Sequence, residues 1–202
     1  MAYFPIFIDL ESKNILVIGG GIVALRKVEV LLKFTSKISI ISKNFCNELT
    51  ELVAINNDFI KVMTRPFSDD DMKLIQGHKY DIVIVATNDH ELNRTIADSC
   101  KTHNVLVNVV DVPELCSFYF PAIIKRDEFV VGLNSSGKAP GFTSKVRKLL
   151  DANMPQDLGE KVQVMYELRK ALLLNNQKPS DNEDYKKLIA QTISQLNIDL
   201  KE

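Results

Sequence analysis

One stretch near the start of the chain restricts its fold more than any other: Asn14-Ile15-Leu16-Val17-Ile18-Gly19-Gly20-Gly21-Ile22-Val23-Ala24. Aliphatic residues in an unbroken row read as a strand buried on both faces, because a half-exposed strand would alternate. Three glycines then end the run, and helix-period residues resume behind them. The spacing Gly19-x-Gly21-x-x-Ala24, set between a strand and a helix, is the context that a dinucleotide fingerprint requires. In that pattern the first glycine makes the tight turn and the second lets the backbone approach a pyrophosphate. A small third residue lets helix and strand pack closely, and the helix N-terminus faces the negative charge. Gly19, Gly21, Ile22 and Val23 are therefore expected to hold a nucleotide cofactor. The alternative is a tight strand-to-helix turn that holds nothing.

The same rhythm continues downstream. Short apolar runs at 15–18, 38–41, 60–63, 82–86 and 105–110 alternate with helix-period stretches around 23–34, 45–55, 69–75 and 91–103. Such alternation means βαβ units and a parallel sheet covered on both faces. Residues 1–112 are thus expected to form a Rossmann-like dinucleotide-binding domain of the α/β class. Ser68 ahead of Asp69-Asp70-Asp71 reads as a helix N-cap with acids at the positive end of the dipole. After Val110 the pattern changes: residues 118–124 and 129–133 read as two strands around a charged turn, followed by a helix near 141–150. Residues 113–152 are expected to make a small α+β element for dimerisation and substrate. Residues 153–202 are expected to form a helical C-terminal tail, broken by a polar loop near 175–184.

Charge and cysteine usage exclude several functions. A net charge of -1 gives no bulk attraction to nucleic acid or an anionic membrane. Cys46, Cys100 and Cys116 are odd in number and lack metal-ligand spacing, so they read as reduced core residues. His78, His90 and His103 are isolated, and no metal site is expected. No apolar run is long enough to span a bilayer, and the N-terminus lacks the basic region of a signal peptide. The expectation is a soluble, cytoplasmic protein.

Candidate site residues follow from the ends of the parallel strands, beyond which ligands bind in this fold class. The second strand ends in Ser42-Lys43-Asn44, without the acid that often holds the ribose of NAD. Ser42 and Asn44 can bond ribose hydroxyls and Lys43 can meet the extra phosphate of NADP, so the choice of cofactor stays open. The fourth strand end offers Thr87, Asn88 and Asp89, either lining the crevice or capping the next helix. At the fifth stand Asn108-Val109-Val110-Asp111, where Asp111 is either a turn residue or a carboxylate able to accept a proton. Further on, Ser135-Ser136-Gly137-Lys138 gathers hydroxyls, amides and an ammonium ahead of a helix start, which suits an anion. Lys125, Arg126, Lys145, Arg147 and Lys148 nearby would suit a polycarboxylate, although Lys145 and Lys148 read better as a solvated helix face. Tyr166 and Lys170 fit a short-chain dehydrogenase spacing but lie well after the sheet has ended, so no catalytic role is assigned to them.

Five motifs in one order carry a resemblance. Phe4-Pro5-Ile6-Phe7, the glycine turn from Gly19 to Lys27, Ala86-Thr87-Asn88-Asp89, Asn108-Val109-Val110-Asp111-x-Pro113 and Ser135-Ser136-Gly137-x-x-Pro140 together resemble the siroheme synthase family, in its precorrin-2 dehydrogenase module. The match covers residues 4 to about 150. The resemblance implies NAD-dependent oxidation of precorrin-2, a tetrapyrrole, to sirohydrochlorin on a homodimer. It implies that Asp111 is the general base, that Asn108, Ser135, Ser136 and Lys138 face the substrate, and that NAD is used despite the missing acid. A bifunctional dehydrogenase and ferrochelatase is the alternative within the family. Outside it stands a nucleotide-sensing Rossmann regulatory module, which would usually keep an acid after the second strand and lack the 135–140 segment.

Overall fold

Each of the five apolar runs becomes a strand in the computed structural model, which describes residues 4–196. The strands are β1 (Ile15–Ile18), β2 (Ile38–Ser42), β3 (Ile60–Thr64), β4 (Ile82–Val85) and β5 (Leu106–Val109). They pair in parallel in the order β3-β2-β1-β4-β5, with Ile15 opposite both Ile38 and Ile82. Helices α1 (Ile22–Leu31), α2 (Asn47–Ile55), α3 (Asp69–Gln76) and α4 (His90–Thr102) make the crossovers. One face of the sheet packs against Ala24, Val28 and Leu31 of α1 and Leu49 of α2. The other packs against Ile75 of α3 and Ile96, Ala97 and Cys100 of α4. Every side chain of β1 and β4 is buried, which is why those runs are unbroken in the sequence. Strand order reverses at β1, whose carboxyl end therefore opens the crevice where ligands bind in doubly wound folds.

The acids that open α3 do more than complement a dipole. The Asp71 carboxylate accepts the Ser68 backbone N–H at 2.9 Å and forms a two-pronged pair with Arg65 at 2.5 and 2.7 Å. Its side chain is 1% exposed, and the guanidinium beside it holds its carboxyl below the usual range.

The chain divides once, into compact units Met1–Phe120 and Pro121–Glu202. The first runs past the expected limit of 112 because the next segment is stitched to β5. A single 3-10 turn, Pro113–Leu115, leads into Cys116, whose Sγ donates to the Val109 carbonyl at 3.2 Å. Ser117 N–H donates to the Val107 carbonyl at 2.8 Å, and the Ser117 hydroxyl accepts the Val107 N–H at 2.8 Å. This strap satisfies the outer edge of β5, an edge that would otherwise present unpaired backbone groups.

In the second unit β6 (Ala122–Arg126) and β7 (Phe129–Leu133) form an antiparallel hairpin, with Ile124 opposite Val131. Helices α5 (Pro140–Asn153), α6 (Leu158–Leu174) and α7 (Glu183–Ser194) complete it. The expected break at 152 is absent. Arg126 of β6 donates to Asp151 of α5 at 2.7 Å, α6 packs on β7, and α7 packs on α6, so hairpin and helices are one body. Among the described residues no helix is long and apolar enough to cross a membrane.

Candidate functional site

The three glycines of the β1–α1 turn differ in what they answer to. Gly19 has φ +122°, a conformation that side chains rarely adopt, and a Cβ there would fall 2.2 Å from the Ala86 carbonyl oxygen at the end of β4. A Cβ on Gly20 would fall 2.1 Å from the Asn44 carbonyl oxygen, and the Gly20 carbonyl accepts the Cys46 N–H at 2.8 Å. The fingerprint reading gave Gly20 no role; its constraint comes from the loop after β2, which no local pattern reveals. Gly21 is the reverse case, because no atom lies within 4 Å of its Cβ position. It is the exposed N-cap of α1, with no side-chain cap and no acid in the first turn. Among the described residues no side chain caps the first amides of α1. Bare amides behind a glycine that leaves room for close approach fit a pyrophosphate. Ile22 and Val23 begin the helix, 41% and 39% exposed, and offer apolar surface beside that cradle.

Around the turn, the other strand ends supply their side chains unequally. The Ser42 hydroxyl donates to the Asn44 carbonyl at 2.7 Å, while the side chains of Lys43 and Asn44 are exposed. The Thr87 hydroxyl donates to Asn93 Oδ1 at 2.5 Å and accepts the Asp89 N–H at 3.2 Å. Asn93, 2% exposed on α4, returns its amide to the Thr87 carbonyl at 3.0 Å. Thr87 is thus locked by a buried asparagine that the sequence reading passed over; an amide on the buried face of α4 was its only signal. Of the two roles open at this strand end, Asp89 takes the cap, accepting the Leu92 N–H at 3.0 Å, and Asn88 stays exposed.

Asp111 follows β5 with φ +60° and is exposed. A left-handed turn and a solvent-facing carboxylate are thus one feature, and Asp is among the few residues that tolerate that backbone. Asn108, expected to face substrate, turns inward instead. It is 6% exposed and its Nδ2 donates to the Phe118 carbonyl at 3.1 Å, so its amide holds the strap. The residue that closes the glycine-turn motif stands near this edge. Lys27 of α1 is partly buried, with Nζ 4.1 Å from the centre of the Phe120 ring. Burial pushes its amine below the ordinary lysine value, while Cys116 and Asp111 nearby pull it back up.

The second unit carries the 135–138 segment. Ser136 and Gly137 have φ +54° and +72°, and the Ser135 hydroxyl accepts the Ala139 N–H at 3.2 Å and the Thr143 hydroxyl at 2.8 Å. Ser136 and Lys138 are exposed. The basic excess is smaller than the sequence suggests, because Arg126 and Arg147 both pair with Asp151, at 2.7 and 3.1 Å. Lys145 and Lys148 lie exposed along α5, and Tyr166 and Lys170 lie exposed on α6. Asp111 and the 135–138 segment belong to different units.

Comparison with known proteins agrees with the turn. Residues 6–122 match a family model described as "Putative NAD(P)-binding". The siroheme synthase of Buchnera aphidicola subsp. Acyrthosiphon pisum is 39% identical over 172 residues, covering 85% of this chain and 35% of that protein. The siroheme synthase of Blochmanniella pennsylvanica is 41% identical over 159 residues, covering 79% and 32%. The chain thus spans about a third of the length of the curated relatives it matches. Among solved structures, "SirC, precorrin-2 dehydrogenase" has the same fold, with a TM-score of 0.72 at 22% identity over 98% of this chain and 93% of that one.

Proposed function

The chain belongs to the NAD(P)-binding family whose model spans residues 6–122, and from that premise we propose that it is an NAD-dependent precorrin-2 dehydrogenase. It oxidises precorrin-2 to sirohydrochlorin in siroheme biosynthesis, as a cytoplasmic homodimer. The observation that carries this reading is the uncapped start of α1 behind Gly21, which shares the carboxyl edge of the sheet with the exposed carboxylate of Asp111. Relatives named siroheme synthase, at 39% and 41% identity, support the choice of substrate.

The residues divide the work as follows. Amides of the turn from Gly19 to Val23 hold the pyrophosphate, and Ser42, Lys43 and Asn44 meet the adenosine ribose. Thr87, fixed by Asn93, and Asn88 border the nicotinamide half. The nicotinamide, when bound, supplies a two-electron acceptor for hydride. Asp111 accepts the proton that the substrate releases as it loses that hydride, which balances the oxidation. The second unit has an anion seat of its own at Ser135, Ser136 and Lys138, suited to carboxylates such as the substrate carries. A second copy covers apolar side chains such as Phe142 and Leu149, which are 69% and 64% exposed on α5.

The test is an anaerobic assay of the purified chain with precorrin-2, run with NAD and with NADP. Sirohydrochlorin formed faster with NAD is the expected result. Metal insertion on adding ferrous ion would extend the activity to the chelatase alternative. Nucleotide binding without any turnover would replace the enzyme by the regulatory reading.

A further inference from the structure

Within the first unit Lys27 is a partly buried cation held by an aromatic ring and not by a carboxylate. No carboxylate lies within ion-pair distance of Lys27 among the described residues, whereas Lys13, Arg126, Arg147 and Lys161, also partly buried, each have one. Its ammonium rests on the Phe120 ring, and the groups that favour its charge are the Cys116 thiol, from the strap, and the Asp111 carboxyl, from the turn after β5. A partly desolvated ammonium without a counter-anion is costly, and an arriving anion repays that cost. We infer that Lys27 is a receptor for one carboxylate of the tetrapyrrole substrate, gripping it beside Asp111. The inference rests on the reading given under Proposed function and adds to it a residue that fixes the substrate's orientation.

Geometry favours the substrate over the cofactor as the source of that anion. The pyrophosphate cradle is at Gly21, and Lys27 stands six residues further along α1, roughly 9 Å at the helical rise. Helical side chains lean toward their own N-terminus, so Lys27 reaches back toward the carboxyl edge of the sheet. Asp111, past the end of β5, acts on it electrostatically, and β1 and β4 stand between β5 and the strand β2 that leads to the adenosine-side loop. Phe120 acts as a fixed platform that keeps the flexible lysine stem from collapsing onto solvent. A carboxylate held there brings a neighbouring ring of the substrate within reach of Asp111.

Two measurements on the full chain test this. Lys27→Met is expected to raise the KM for precorrin-2 about tenfold, with kcat and the Kd for NAD within twofold, and Lys27→Arg to restore most of the loss. An unchanged KM, or a matching loss of NAD affinity, overturns the inference, the latter assigning Lys27 to the pyrophosphate. The second measurement needs no turnover and no variant. A lysine whose amine is more easily deprotonated than usual should acylate early with an amine-reactive ester, read by mass spectrometry of the wild-type protein. Sirohydrochlorin added as probe should protect Lys27 and NAD alone should not; labelling indifferent to sirohydrochlorin overturns the inference. Absence of wild-type turnover would instead strike the dehydrogenase reading, while the labelling still judges the carboxylate seat.

Discussion

The two units of this chain are built to different standards of closure. In the first, both faces of a five-stranded sheet are covered by helices, and even the outer edge of β5 is satisfied by the strap at Cys116 and Ser117. In the second, Ile124, Leu158 and Leu172 are the buried hydrophobic residues found among the described ones, and α5 buries none of its side chains. Such a difference teaches where each unit finds its stability. The first has a two-sided core of its own, even though Phe4, Phe7 and Ile55 stay 78% to 85% exposed, and can hold reactive groups at fixed positions. The second leaves Phe142, Leu149 and Leu174 from 64% to 76% exposed, an arrangement that becomes favourable when another surface covers it.

If chemistry belongs to the first unit, its removal there should be the largest effect. Asp111→Asn keeps shape and removes the proton acceptor, so kcat should fall by about 10²–10⁴ with the Kd for NAD little changed, measured by single-turnover assay and nucleotide titration. Turnover that survives this change would move the chemistry away from the end of β5. Next comes the scaffold. Gly20→Ala drives a methyl group into the Asn44 carbonyl and should destabilise the first unit by about 3 kcal/mol, lowering its thermal transition while leaving that of the second. If both transitions fell together, the units would not be independent.

A smaller effect reads the first unit through pH. Asp71 has its folded pKa lowered, chiefly by its hydrogen bonds to Arg65. Its contribution is therefore complete above the unfolded carboxylate value of about 4 and is lost as pH falls through the lower folded value. Asp71→Asn should cost roughly 1–2 kcal/mol at neutral pH and flatten the acid limb of the first unit's stability, as seen by denaturant titration across pH 2 to 6. The smallest effect belongs to α5. Leu149→Ser should change the second unit's stability by less than about 0.5 kcal/mol at high dilution and lower its unfolding midpoint only as protein concentration rises. A loss independent of concentration would mean that Leu149 is covered by its own chain.

This difference also explains what could be read from the sequence. Strands of the first unit were legible because burial on both faces leaves an unbroken apolar run, as in Ile82-Val83-Ile84-Val85. The glycine turn was legible because a local backbone demand leaves a local signature. What Gly20, Asn93 and Lys27 do was not, since each answers to a group distant in the chain: the Asn44 carbonyl, the Thr87 hydroxyl and the Phe120 ring. The bond of the Asn108 amide to the Phe118 carbonyl was hidden for the same reason. The limit at 112 was placed where the strand rhythm stops, but Cys116 and Ser117 hold the chain to β5 by bonds that have no period.

The contact between Gly20 and the loop after β2 has a consequence for redesign. Because the Cys46 amide bonds the Gly20 carbonyl and the Asn44 carbonyl packs where a Gly20 Cβ would stand, the loop proposed to meet the adenosine ribose and the turn proposed to meet the pyrophosphate share one backbone frame. Changing nucleotide preference by grafting a loop of another length would shift both halves of the cofactor seat at once. Only exchanges confined to the outward side chains, such as Lys43 and Asn44, can retune one half and leave the other in register.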